Sequence, residues 1–468
     1  MRAKTAVLVL ALAPLLPALA GDPPAVRALL KDITLRDVRF CQYGEEEVVR
    51  EGHPFPVGSI SVVPLFGPDG LELTWTDAGR HCSAPISEVH ETQTIAIRTV
   101  DRTTRLLVYR DRFGRLYRGN PAAKTATIAG RKLVFIDRDF DGLHLEKDVD
   151  AFGLLDARHV VPLQSALVLG SRRVSLGSYD PGNSSVLLTE TPLGTSLTQG
   201  ARKILENLND ERLFHGLVTS DLDDEISVRY CQPHADWMAA NRLCAHEQSG
   251  STPRASAEGA IAGKASILSP PGPWSPAISW FDSPVHGYQV AAPDFTRTAV
   301  AEREGYSVLW VFGGHHGLKW PTVAARFPAV FPPHEAMDVP VSWWDEIGDP
   351  RQGDPSVDWG YPIRVYQGPG ALGNYGEYPE EVKVTLRAEG ASEGEMLQIV
   401  ARPDDIPAGV PGHSAYVKFL VLPCKPLAGR TLYRLEMSWF LGGRPFHWQS
   451  TFQTGTARGQ RRPPRSPE

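Results

Sequence analysis

The chain has 468 residues, 42% of them hydrophobic and 22% charged, a globular balance on a length that exceeds one domain of about 100 to 200 residues. Three domains are expected. Formal net charge is -6 and no lysine or arginine cluster is interleaved with aromatics, which excludes a phosphate-tracking surface and, with it, nucleic acid as a partner.

Residues 1–20 open with Arg2 and Lys4, run apolar from Ala6 to Leu16 and end Ala18-Leu19-Ala20 before Gly21, the grammar of a cleaved secretory signal peptide. Pro14 and Pro17 interrupt the run, and it falls short of the ~20 apolar residues a membrane span needs. The expected location is therefore secreted or periplasmic, within the cell envelope, and no later stretch is apolar enough to form a transmembrane segment. The five cysteines, Cys41, Cys82, Cys231, Cys244 and Cys424, would sit in an oxidising compartment. Their odd number leaves at least one unbridged, and Cys41 with Cys82 is the favoured pair. Cys231 and Cys244 carried on one helix would lie roughly 20 Å apart, beyond disulfide reach. No cysteine spacing matches a zinc finger.

From Gly21 to about 195, short apolar runs such as TIAIRTV, RLLVYRDRF, RKLVFID and SSVLLTET alternate with Gly, Asp, Asn and Pro, which is strand grammar and predicts a β-rich domain. Helical periodicity is confined to Val26–Lys31. Asn183-Ser184-Ser185 is a glycosylation sequon.

One loop in this region carries chemistry. After RKLVFID come Asp137, Asp139 and Asp141 at alternate positions, then Gly142, with Asp148 twelfth counting from Asp137. A hard cation wants several oxygens on a tightly turned loop, here the three carboxylates, the Leu143 carbonyl at the seventh position and a fourth carboxylate at the twelfth. The loop resembles the calcium loops of EF-hand and dockerin proteins, although Leu145 offers no side-chain ligand at the ninth position and the loop follows a strand. Calcium is the cofactor it implies. An Asp-rich turn bonding its own backbone is the alternative.

Near Gly200 the period changes. Ile204, Leu205, Leu208, Arg212 and Leu213 mark one face of a helix, and Asp223 or Asp224 caps a second that carries Ile226, Tyr230, His234, Trp237 and Met238. Pro233 inside that second helix costs about 3 kcal/mol in regular geometry and predicts a kink or break. Ser275-Pro276 starts a third helix through Ile278, Trp280 and Phe281, and YSVLWVF closes the block as a strand. His234 and Trp237 are expected in the core.

The ordered set NDERLFHGL, HADWMAANRLCAH, AEGAIA, WFDSPVH and DFTRTAV, ahead of a tryptophan-bearing strand, resembles the CAP superfamily of cysteine-rich secretory, antigen and pathogenesis-related proteins, in its bacterial secreted (SCP-like) branch. The resemblance covers residues 200 to about 314 and implies an α-β-α sandwich domain at 200–320. It further implies a cleft of two histidines and two acids, which some members fill with zinc or another divalent ion. His246 resembles the first histidine, Glu258 the glutamate and His286 the second histidine. The second acid falls at Ser283, with Asp282 beside it as a substitute, and Ala257 and Gly259 alter the motif around Glu258. Two imidazoles and a carboxylate suit an open metal site or acid–base chemistry; the structural alternative is histidines on backbone carbonyls and a glutamate capping a helix.

From Pro321 to Pro340 the proline-rich passage WPTVAARFPAVFPPHEAMDVP reads as an interdomain linker that also starts the next module. Evenly spaced strand patterns then predict a β-sandwich at 333–456, whose ending resembles bacterial immunoglobulin-like surface modules. Residues 457–468 read as a basic, proline-rich disordered tail. Gly390-Ala391-Ser392-Glu393-Gly394 fits G-x-S-x-G, but strand patterns flank it on both sides, so a hairpin turn is expected rather than a nucleophile elbow. His315 and His316 read as a solvated turn. The whole is expected to be a secreted, multidomain, noncatalytic protein binding an apolar ligand such as a lipid, an envelope component or a protein. A metal-assisted hydrolase using His246, Glu258 and His286 and a structural envelope protein are the alternatives.

Overall fold

The computed structural model describes residues 25–34, 48–311, 328–343, 358–366, 378–401 and 419–456, apart from 58, 68, 69, 87–91, 99–102, 112, 114, 142, 143, 148, 158, 165, 181 and 294. The signal-like segment, Cys41, Leu143, Asp148, His315, His316 and the basic tail lie outside the described residues. Among those described, no helix is long and apolar enough to cross a membrane. Cys82, Cys231, Cys244 and Cys424 are free thiols.

The β-rich N-terminal region contains two cores. Strands Ala25–Leu29, Ser185–Pro192, Arg172–Asp180 and Ala166–Leu169 form one sheet, and Lys31–Thr34, Ala122–Ile128, Arg131–Ile136, Ala151–Leu154 and Val161–Pro162 a second. Leu133, Phe135, Phe152, Val174, Val186 and Leu188 share a core with them, and Phe135 stands directly opposite Phe152. Between Thr34 and Ala122 the chain inserts two further sheets, around Val62, Leu73, Trp75, Ile97, Leu106 and Val108. Alternate positions Leu71, Leu73 and Trp75 face this core, as a half-buried strand requires. The helical pattern at Val26–Lys31 is overruled: the segment splits between two strands that pair with Ser185–Pro192 and Ala122–Ile128. A helix of six residues cannot nucleate unaided, whereas both ladders are already templated.

The central block places Asp221–Leu222, Arg297–Arg303, Tyr306–Trp310 and Ser266–Ser269 side by side in a four-stranded sheet, antiparallel except for the first pair. Ala299, Val300 and Ala301 are all fully buried, so both faces of the second strand are covered. Helix α1 (Gln199–Phe214) packs on that strand and on α5 (Pro276–Asp282). Helix α3 (Gln232–Asn241) packs on the same strand and on α4 (Ala257–Ala265). The short α2 (Asp224–Ile226) is capped by Asp223, whose carboxylate accepts from the Ile226 N–H, and runs into a π-turn at Ser227–Cys231 before α3. This is how the chain accommodates Pro233. The ring can neither donate nor tolerate the carbonyl four residues back, and the wider turn, closed from the Gln232 N–H to the Ser227 carbonyl, makes room for it. Ser275 precedes Pro276 at the start of α5, as the sequence implies, but its hydroxyl accepts from Asn207 Nδ2 at 2.9 Å and makes no capping bond.

The C-terminal region is two four-stranded sheets, Ala329–Phe331, Ile363–Tyr366, Leu420–Pro423 and Leu397–Val400 in one, and Ala336–Val339, Arg444–Thr454, Leu432–Leu441 and Glu380–Ala388 in the other. The proline-rich passage, expected to link the domains and start the next module, contributes strands to both sheets over 329–339. The G-x-S-x-G segment lies between two strands as expected, but they belong to different sheets, so it crosses from one layer to the other and is not a hairpin turn. One continuous core runs from Leu205, Trp237 and Trp310 of the central block through Val330 and Phe331 to Leu435, Trp439 and Phe452 of the C-terminal sheets.

Candidate functional site

Helix α4 is built to be approached closely. A β-carbon at Gly259 would lie 2.5 Å from Gln248 Nε2, and one at Gly263 would lie 2.1 Å from the His246 carbonyl and 2.6 Å from His234 Cε1. Four residues apart, the two glycines share a face and let residues 246–248 lie against the helix. Gln248 then bridges: its Oε1 accepts from the Ser256 N–H at 2.9 Å and its Nε2 donates to His234 Nδ1 at 2.9 Å. His234 Nε2 donates to the Ala245 carbonyl at 3.0 Å. Burial, with repulsion from His246, pushes His234 down to about 4, so it is a neutral, fully satisfied core residue as expected.

His246 donates from Nδ1 to the Gly263 carbonyl at 2.7 Å, which fixes its tautomer and leaves Nε2 as the electron-pair donor. By surface area the residue is exposed, yet its bonded edge is sunk into the protein. Desolvation there, with repulsion from His286, holds its pKa below the ordinary value. The two histidines implied by the family resemblance are therefore electrostatic neighbours. Glu258 is half-buried in the first turn of α4, where Ser256 caps the helix by accepting from Gly259 N–H at 3.0 Å. A carboxylate is favoured there by the helix dipole alone.

Asp282, the last residue of α5, is 8% exposed and lies beside Tyr361 of the C-terminal region, where burial first and the Asp282 charge second push the Tyr361 phenol up. Ser283 caps the turn into α6 (His286–Val290), its hydroxyl accepting from Gly287 N–H at 3.3 Å. Among the described residues, the groups of three or more His, Cys, Asp or Glu whose ligand atoms all lie within 4.8 Å of one another are found in the Asp137 loop; His246, Glu258, Asp282 and His286 form no such group.

In the Asp137 loop two overlapping triads form, Asp137, Asp139 and Asp150, and Asp139, Asp141 and Glu146. Asn120 Nδ2 donates to the Asp137 carboxylate at 3.3 Å and to its carbonyl at 3.0 Å, while Phe140 takes the left-handed backbone (φ 64°) that turns the loop. Asp150, fully buried, accepts from Arg138 N–H at 3.1 Å and Glu146 N–H at 2.8 Å. Burial, with repulsion from Asp139 and Asp141, pushes it up to about 7 against those bonds. Five carboxylates on one turn are the donor set a hard cation takes. Glu146 and Asp150 escape the twelve-position pattern because they stand tenth and fourteenth. The local signal was the Asp148-Val149-Asp150 alternation, which offered Asp150 as readily as Asp148.

No protein-family model matches the chain, and no curated protein matches it. Among solved structures, a 1.5 Å crystal structure of an extracellular protein containing an SCP domain from Bacillus anthracis str. Ames is similar, at 10% identity and a TM-score of 0.20, over 56% of this chain and 88% of that one. A likeness at that score establishes no shared fold.

Proposed function

We propose that the chain is an extracytoplasmic multidomain protein whose residues 200–311 form a CAP-like α-β-α domain that binds an apolar ligand, an envelope component or a protein without turning it over. The ordered motifs, the covered four-stranded sheet and the neighbouring His246 and His286 support the domain. The signal-like residues 1–20 support the location. The spread of the four cleft residues carries the preference for binding. Among the described residues, His246, Glu258, Asp282 and His286 form no group of three or more whose ligand atoms lie within 4.8 Å of one another, and a shared ion needs its groups within a few ångströms.

The test pairs binding with turnover. Purified chain is expected to bind the fluorescent fatty acid cis-parinaric acid saturably, the His246→Ala, His286→Ala double variant about tenfold more weakly. Neither should hydrolyse ester, amide or phosphodiester substrates. Turnover that disappears with His246→Ala would replace this reading by the metal-assisted hydrolase. A divalent ion on His246 and His286 would be revealed by metal analysis of the same two preparations.

The second part of the reading is that the Asp137 loop takes calcium as a structural staple, held by Asp137, Asp139, Asp141, Glu146 and Asp150. Convergence of these carboxylates supports it. The ion would neutralise the mutual repulsion that acts on Asp150.

A further inference from the structure

The carbonyls at the end of α5 are satisfied by another part of the chain. A helix leaves its last carbonyls without intrahelical partners, and they need donors when buried. Here Arg364, on strand Ile363–Tyr366 of the C-terminal region and fully buried, donates from Nη2 to the carbonyls of Phe281 at 2.7 Å and Ser283 at 2.5 Å. Tyr361 donates to Phe281 at 3.4 Å, and Tyr366 donates to the carbonyl of Tyr288 at 2.9 Å. In return Tyr288 donates to the Val365 carbonyl at 3.2 Å. His286 sits between these anchor points, on a turn whose both ends are bonded to the C-terminal sheets.

Arg364 is a costly way to fill this seam. Its guanidinium lies over the rings of Phe331 and Tyr361, 5.3 and 5.5 Å from their centroids, and its Nε and Nη1 make no hydrogen bond among the described residues. An apolar side chain of similar volume would pack there without desolvating a cation. What it could not do is bond the two carbonyls at the end of α5, from which the chain turns to His286. Gly287 is fitted to the same contact, since a β-carbon there would lie 2.3 Å from Arg364 Nη2.

We propose that Arg364 is a positioning residue for His286, so that the C-terminal β-sheets are a built-in part of the central histidine site and not a separate display module. The significance of the site rests on the binding function proposed above; the positioning itself does not.

The experiment uses the full chain with histidines labelled at Cε1 and compares Arg364→Met, Arg364→Lys and Tyr366→Phe with a surface control, Arg434→Met. Arg434 pairs with Glu389 at 3.8 Å on the same C-terminal region, away from the seam. Arg364→Met should shift or broaden the His286 and His246 signals, Arg364→Lys should restore them in part, and the control should leave them in place. Should Arg364→Met fail to fold, Tyr366→Phe, which removes one hydroxyl without a cavity, should move the same two signals by a smaller amount. Unchanged His286 and His246 signals in a folded Arg364→Met or Tyr366→Phe protein would overturn the assignment. No ligand is needed for this readout, so responsive histidines in a chain that binds no fatty acid would sink the functional reading and leave this one standing.

Discussion

Two buried arginines show how much a single side chain can organise. Arg212 in α1, fully buried, donates from Nε to the Val218 carbonyl at 2.7 Å and from its terminal nitrogens to Ala292 at 3.1 Å and to Val290. It ties the first helix to the chain just beyond α6. In the sequence it looked like one more residue on the helix face, and helical spacing does place it correctly. What spacing could not tell is that its charge is spent on carbonyls, with Phe295 under the guanidinium at 5.4 Å. Removing it leaves several buried acceptors unmade, so Arg212→Met is expected to lower stability by about 3 to 5 kcal/mol in urea unfolding. A loss below about 1 kcal/mol would mean that water or a neighbour replaces the guanidinium.

At the scale of elements, the Asp137 loop makes the more specific claim. Its carboxylates are held close by a left-handed turn at Phe140 and by backbone donors to Asp150. Crowded like charges destabilise the folded loop, and a cation that binds only the folded form must raise its stability. Millimolar calcium is expected to raise the melting temperature of the chain, and Asp139→Asn with Asp141→Asn to abolish the increase, Asp139 being shared by both triads. An unchanged midpoint at millimolar calcium would reduce the loop to an acidic turn. The π-turn before α3 is the contrasting case, an element whose irregularity was legible because Pro233 has a single steric consequence.

For the whole molecule, the seams matter as much as the modules. Arg131 pairs with Asp210 at 2.8 Å, and Ser171 donates to Glu206 at 2.9 Å, fastening the N-terminal sheets to the outer side of α1. A second junction joins all three regions. His159 Nε2 donates to the His334 carbonyl at 2.8 Å, His334 accepts the Thr451 N–H on Nδ1 at 3.0 Å, and its other nitrogen lies 3.6 Å from Asp111. Burial raises the Asp111 pKa, but His334 and Arg115 outweigh it and hold the carboxyl below its usual range. His159 is half-exposed by area, yet its Nδ1 is sealed, and desolvation, with repulsion from His215 and His334, pushes it from 6.5 down to about 4. A histidine whose folded pKa is depressed contributes stability that is present above 6.5 and lost as the pH falls toward 4, because the unfolded chain takes the proton first. Acid is therefore expected to loosen this junction. His234 and, in direction, His246 act in the same sense while the raised Asp150 opposes them, so His159→Gln should lower the slope of unfolding free energy against pH across that window by about one proton's worth. An unchanged slope would show that His159 is solvated in solution.

The sequence by itself determined the local things. It placed the central helices, the start of α5, the break at Pro233, the strand periods and the crowded aspartates, because each follows from a residue's own shape or charge and its near neighbours. It also offered His246, Glu258 and His286 through a resemblance to CAP proteins, and the two histidines do stand near one another. The rest needed tertiary structure. Val26–Lys31 reads as helix until two distant strands claim it, and the proline-rich passage reads as the start of the next module with no sign that it feeds two different sheets. Arg364, more than eighty positions from the carbonyls it holds, carries no local sign at all. Local pattern reports which side of an element is apolar; only packing decides which partner covers it, and here that partner lies in another part of the chain.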